Sequence, residues 1–146
     1  MNPLILKRIT IHDPEYPEVW ALREELLRRP LGLSLRDEDL SGETDEYIIA
    51  ALRDGSVAGC VMLRPISGDE LKLRQMAVAE VCQGQGIGAA LIREAEACAI
   101  EKGFSHITLH ARKDAAPFYE RCGYDVRGAE FLEVGIPHLR MQKDFS

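Results

Sequence analysis

The residues of this chain whose types and spacing could do chemistry lie first in the run Gln83-Gly84-Gln85-Gly86-Ile87-Gly88-Ala89. Three glycines in five residues let the backbone turn tightly and aim several N–H groups at one point. A strand-like stretch, Leu71 to Val78, precedes the run, and a helical pattern opens at Gly88. A helix start adds unsatisfied N–H groups and the positive end of its dipole. Together these features predict a cradle for a di-anion such as a pyrophosphate.

Three ligands would use such a cradle. A Walker A loop needs Gly-Lys-Ser/Thr, which the chain lacks. Gly84, Gly86 and Ala89 fit the G-x-G-x-x-A dinucleotide fingerprint. Its context is wrong, because Ala79 to Gln83 separate the strand from the glycines. The next strand also ends in His110-Ala111-Arg112, with no carboxylate for a ribose diol, and too little chain follows Gly88 for a doubly wound sheet. The third ligand is coenzyme A. Met76-Ala77-Val78, followed by Gln83 to Ala89, Ala90 and Leu91, resembles the acyl-CoA motif Q/R-x-x-G-x-G/A of the GNAT acetyltransferase superfamily. A later stretch is similar to that family's N-x-x-A-x-x-F/L-Y-x-x-x-G-F/Y. It places Arg112, Ala115, Phe118, Tyr119, Gly123 and Tyr124 at the motif positions, with Arg112 where the family has asparagine. The run from Phe131 to His138 resembles a bacterial GNAT subgroup of unassigned substrate.

The resemblance implies an acetyl-CoA-dependent N-acyltransferase. Such an enzyme moves the acetyl group to a primary amine of a small molecule or peptide by direct attack on the thioester. Acetyl-CoA is the cosubstrate and no metal is needed. The resemblance assigns cofactor binding to Met76, Ala77, Val78, Gln83, Gly84, Gln85, Gly86, Ile87, Gly88, Ala89, Arg112, Ala115 and Phe118. In this family the strand at Met76 to Val78 bulges and splays from its parallel neighbour, freeing N–H groups for the pantetheine and the thioester oxygen. Tyr119 matches the general acid. A phenol with a pKa of about 10 stays protonated beside a thiol of about 8.5 and can hydrogen-bond the leaving sulfur. Glu70, His110, Glu133, His138 or a chain of ordered waters are open choices for the general base. Strand parity leaves open whether Arg74 and Gln75 face the acceptor. Two rivals remain: an acyl-CoA-binding sensor of the same fold without catalysis, and a nucleotide-binding oxidoreductase.

These residues need elements to hold them. Leu4 to Thr10 reads as a strand, and Pro14 to Arg29 as a helix with Val19, Leu22, Leu26 and Leu27 on one face, ended by Pro30. Pro30 to Asp45 reads as a short helix or ordered loop. Tyr47 to Leu52, Val57 to Pro65 and Glu70 to Val78 form an antiparallel meander, with Asp54-Gly55 as a hairpin turn. The period then changes. Gly88 to Lys102 is a helix with Leu91, Ile92, Ala95, Ala99 and Ile100 near a 3.6-residue spacing, closed by Gly103. Ser105 to Ala111 is a strand, so the crossover makes a parallel pair. Asp114 is placed to cap a helix from Ala115 to Cys122, and two closing strands fall near Asp125 to Phe131 and Leu139 to Lys143. The sum is an α/β (α+β) fold whose mixed, mostly antiparallel sheet has one parallel pair and is flanked by helices. The resemblance implies that this is the GNAT acyl-CoA N-acyltransferase fold, with the parallel pair splayed.

The bulk numbers agree. At 146 residues the chain fits one domain, 1–146, large enough to bury a core without staples. Cys60, Cys82, Cys98 and Cys122 form no C-x-x-C pair and read as ordinary thiols in a reducing compartment. No signal peptide or membrane span is read, so a cytoplasmic location is expected. The net charge of −6 without a basic run disfavours nucleic acid and is compatible with a small cationic substrate. The expected partner is therefore an amine acceptor, not nucleic acid or membrane, and a homodimer is admitted without being required. Residues 31–45 and 131–138 are expected to shape the acceptor pocket.

Overall fold

The computed structural model describes residues 3–145. Eight strands form one sheet in the order β1-β2-β3-β4-β5-β8-β6, with β7 pairing β8 from off this path. The strands are β1 (Ile5–Ile9), β2 (Tyr47–Arg53), β3 (Ser56–Pro65), β4 (Glu70–Val78), β5 (His106–Arg112), β6 (Asp125–Val126), β7 (Phe131–Glu133) and β8 (Ile136–Asp144). Every pairing is antiparallel except β4 with β5. That parallel pair is bridged by helix α2 (Ile87–Glu101), as a crossover requires. The mixed sheet with one parallel pair is the expected architecture.

Side-chain alternation divides the sheet into two faces. Leu63, Leu71, Leu73, Ile107, Leu109 and Met141 pack beneath Leu91, Ala95 and Ala99 of α2 in the larger core. Val19 and Leu22 of α1 (Tyr16–Arg23) cover Ile48, Cys60, Met62 and Ala77 on the opposite face. The parity that sends Leu71 and Leu73 into the α2 core turns Lys72 and Arg74 to that opposite face. Their neighbours there are Arg64, in register with Lys72 on β3, and Thr108, in register with Lys72 on β5.

Four local expectations need correction. The expected helix from Pro14 to Arg29 stays α-helical only to Arg23, then widens into a π turn (Glu24–Arg28) and tightens into a 3-10 turn (Arg29–Leu31). Pro30 has no N–H to donate and crowds the carbonyl four residues back, so the ladder changes pitch ahead of it. Ile100, counted in the apolar spacing of α2, lies outside its buried face and is 59% exposed. Asp114 does not cap the next helix. A 3-10 turn (Lys113–Ala115) intervenes, and α3 (Ala116–Arg121) starts from Ala115 with no side-chain cap. The expected strand from Asp125 to Phe131 splits into β6 and β7 around Gly128, whose φ of +89° is incompatible with a continuous strand. After the Arg29–Leu31 turn, residues 32–45 hold two further 3-10 turns, Leu35–Asp37 and Ser41–Asp45. No helix among the described residues is long and apolar enough to cross a membrane.

Candidate active site

Strands β4 and β5 pair only from Glu70–His106 to Leu73–Leu109, although β4 runs on to Val78 and β5 to Arg112. Their ends therefore diverge. At the point of divergence β4 carries a bulge. Between the partners Met62–Arg74 and Cys60–Ala77, β4 has one residue more than β3. Gln75, at φ +56°, takes up the extra length. A left-handed conformation is unfavourable for a residue with a Cβ, so its neighbours must hold it there. They do so from two sides. The Arg23 guanidinium donates to Gln75 Oε1 at 3.0 Å, and the Cys60 thiol donates to the Gln75 carbonyl at 3.5 Å.

Arg23 is itself fully buried and forms a two-pronged ion pair with Glu43, at 3.1 and 2.6 Å. The Tyr16 hydroxyl donates to the same carboxylate. Burial alone would raise the Glu43 carboxyl. The bonds from Arg23 and Tyr16 outweigh it and hold the group below the usual carboxylate range. Burial and the adjacent Glu43 carboxylate push the Tyr16 phenol up to about 12. This network ties α1 and the Ser41–Asp45 turn to the bulge.

Past the end of β4, Gln83 donates its side-chain amide to the Val78 carbonyl at 3.1 Å, fastening the glycine turn to the strand. Gly84 and Gly86 have φ of +80° and +79°, and a Cβ on either would project into open space. Gly88 is needed for a different reason. A Cβ there would lie 3.2 Å from the Phe118 ring, so Gly88 lets α3 approach α2. Gly86 is the N-cap of α2 and offers no side chain, which leaves the first-turn N–H groups directed outward. Gln85 accepts from Arg53.

A cleft of about 920 Å³ runs along the divergent strands. One wall comes from residues 26–38 and the other from β3, β4 and β5, with Tyr119, Glu133, Val134 and His138 closing it. The Tyr119 ring is buried and makes edge contacts with Phe118 and Tyr124, at 5.0 and 6.3 Å. No group among the described residues hydrogen-bonds its hydroxyl. Burial pushes this phenol up to about 12. Ala115, Arg112 and Met76 also line the cleft.

Three of the four candidate bases meet in this cleft. His110 Nδ1 lies 2.9 Å from Glu133 Oε1, and His138 Nε2 lies 3.6 Å from Glu133 Oε2. Burial would raise the Glu133 carboxyl, but His110, His138 and Lys72 together lower it. The ionised carboxylate only accepts, so His110 donates to it from Nδ1. His138 Nδ1 donates to the Ile136 carbonyl at 2.7 Å, and the ring stacks on Phe131. Glu70 is elsewhere. It pairs with His106 at the opposite end of β4 and does not line the cleft. Arg74 faces the cleft with Glu46 bound to it, while Gln75 is the bulge residue.

Arg23, Glu43, Tyr16 and Cys60 escaped the sequence reading. Arg23 did leave a signal: it follows Val19 by four residues, a charge set on the apolar stripe of its helix. Glu43 left none, because it reaches the network only through the turn that carries it. Among the described residues no cluster of His, Cys, Asp and Glu is arranged to hold a metal ion.

A splayed parallel pair beside a strand bulge and a glycine turn at a helix start is the arrangement of an acyl-CoA N-acyltransferase. A family model described as "Acetyltransferase (GNAT) domain" matches residues 33–145, and the chain belongs to that family. Among its relatives is the uncharacterized N-acetyltransferase YjcF of Bacillus subtilis, 28% identical over 139 residues that span 93% of this chain and 97% of that protein. Escherichia coli ElaA superposes with a TM-score of 0.84 at 15% identity, over 97% of this chain and all of that one (100%). A GNAT family acetyltransferase from Elizabethkingia anophelis, solved with acetyl-CoA bound, superposes at 0.73 and 16% identity over 97% and 98% of the two chains.

Proposed function

We propose that this acetyltransferase moves the acetyl group of acetyl-CoA to a primary amine of a small molecule or peptide, by direct attack within the β4–β5 cleft. The observation that carries the reading is the divergence after Leu73–Leu109, with the unpartnered Tyr119 hydroxyl in the cleft it creates. Acetyl-CoA supplies a thioester carbonyl ready for acyl transfer. The chain's residues fit it: Gly84 and Gly86 leave open the space a Cβ would fill, and α2 presents uncapped N–H groups beside them. Gln83 to Ala89 would hold the pyrophosphate. The backbone from Met76 to Val78 would receive the pantetheine and the carbonyl oxygen, and Arg112, Ala115 and Phe118 would flank the arm. Glu133 orients His110, whose other ring nitrogen takes a proton from the substrate ammonium, so that the free amine attacks the thioester carbonyl. Tyr119 donates to the departing thiolate.

Acetyl-CoA and CoA are both expected to raise the melting temperature, because each binds only the folded chain. At a hundredfold excess over Kd the gain is about 2.7 kcal/mol. NADH and ATP should shift it far less, and equal shifts from NADH and CoA would remove the coenzyme A assignment. A screen of amines, amino acids and peptides for thiol release then tests transfer. CoA binding with no turnover on any acceptor would favour a sensor instead.

Gly86→Ala places a methyl in the proposed phosphate space and forces a left-handed alanine, at a backbone cost of about 1–2 kcal/mol. A melting point lower by a few degrees is expected, with a rise of about tenfold or more in the acetyl-CoA KM. An unchanged KM in the folded variant would take the pyrophosphate off this turn.

A further inference from the structure

The chain as a whole is acidic, at −6, yet the sheet wall of its cleft is basic. Arg64, Lys72 and Arg74 line it from adjacent strands, with Arg64 and Lys72 directly in register. Arg64 and Arg74 share a single carboxylate, Glu46, whose side chain is fully buried behind them. Two cations on one carboxylate leave one positive charge uncompensated. Lys72 has no ion-pair partner among the described residues and acts on Glu133 only through space. Across the cleft Glu38 is taken by Arg28, and Asp37 is the one acid there with no ion-pair partner among the described residues. Glu133 faces His110, His138 and Lys72 together.

A simple cationic amine or polyamine entering along this wall would meet repulsion from the β3 and β4 side chains. An amine that also carries an anion would not. Its ammonium fits Glu133 and His110, and its anion fits the side chains before the bulge. Arg74 and Lys72 precede Met76 by two and four residues, roughly 7 and 13 Å along the strand. The basic patch therefore lies several bonds from the place where the amine would react. Arg74 is already oriented by Glu46, so little side-chain freedom is lost on binding.

Building on the acetyl-transfer reading, we propose that the acceptor is an anionic amine, a primary amine bearing a carboxylate or phosphate group held by Lys72, Arg64 and Arg74. The shared chemistry is the anion, and matched pairs separate its two sources. Calorimetry on the protein saturated with CoA would compare β-alanine with β-alaninamide, 4-aminobutyrate with 4-aminobutanamide, and O-phosphoethanolamine with ethanolamine. At least one anion-bearing member should bind about tenfold or more tightly than its partner lacking the anion, and which pair responds identifies carboxylate or phosphate. The preference should fall towards unity in Lys72→Met and reverse in Lys72→Glu. Equal or weaker binding of every anionic member to the unaltered protein overturns the proposal, as does an undiminished preference in folded Lys72→Met. Acetyl-CoA stabilisation and thiol release report separately on the parent reading. Turnover of amines lacking the anion, without any preference for those that carry it, would overturn this inference and leave acetyl transfer standing.

Discussion

Tyr119→Phe is expected to lower kcat about 10²-fold while leaving the acetyl-CoA KM nearly unchanged. General acids contribute on the order of 10²–10⁴-fold, and a thiolate is already a fair leaving group, so the low end applies. The ring is fixed by Phe118 and Tyr124, and the substitution keeps it. Only the hydroxyl is lost, and no group among the described residues bonds it, so stability should hardly move. Because burial takes this phenol up to about 12, it stays protonated across the whole neutral and mildly alkaline range. Its own ionisation therefore gives no descending limb to the pH–rate profile below that point. Steady-state kinetics of the purified variant decide the matter. A kcat near that of the unaltered enzyme would reduce Tyr119 to a packing residue and make water the proton source.

Arg23→Met should be the most destabilising single change. It strands Glu43 in the interior, and breaking a buried ion pair costs about 3–5 kcal/mol. For a chain of this size the melting point should drop by more than about 10 °C. Replacing both partners, as Arg23→Met with Glu43→Leu, removes the unpaired charge and should recover most of that stability. It should not recover kcat, because Gln75 loses the guanidinium that holds its side chain at the bulge. Denaturant melts and kinetics on the single and double variants separate the two effects. Full activity in the double variant would show that the bulge needs no brace from α1. The pH dependence has a definite sign. The Glu43 carboxyl is lowered on folding, so its contribution is complete above the ordinary value of 4.5 and is lost as the pH falls below it.

Much of the candidate site could be read from local order in the chain. The turn from Gln83 to Ala89 declares itself because backbone freedom and helix start are properties of adjacent residues. The meander and the crossover follow from hydrophobic period and turn chemistry, and the structure has them within a residue or two at most boundaries. Tyr119 was reachable because the motif around it is contiguous. Where adjacent residues compete, the reading failed. Pro30 altered the pitch of a helix that apolar spacing alone would have continued, and Gly128 interrupted a strand.

The choice among bases lay beyond sequence, since Glu70 and Glu133 are both carboxylates on strands. Only the register places Glu70 beside His106 at the closed end of β4 and brings Glu133, on β7, to His110 on β5. The buried brace on Gln75 joins residues 20, 32 and 52 positions apart in the chain. The sign of the cleft was hidden as well. Net charge sums over the whole surface, whereas a ligand responds to the few side chains that strand parity turns towards it. Composition fixes the −6 of the chain, and only the pairing of β3 with β4 sets Arg64, Lys72 and Arg74 side by side on one wall.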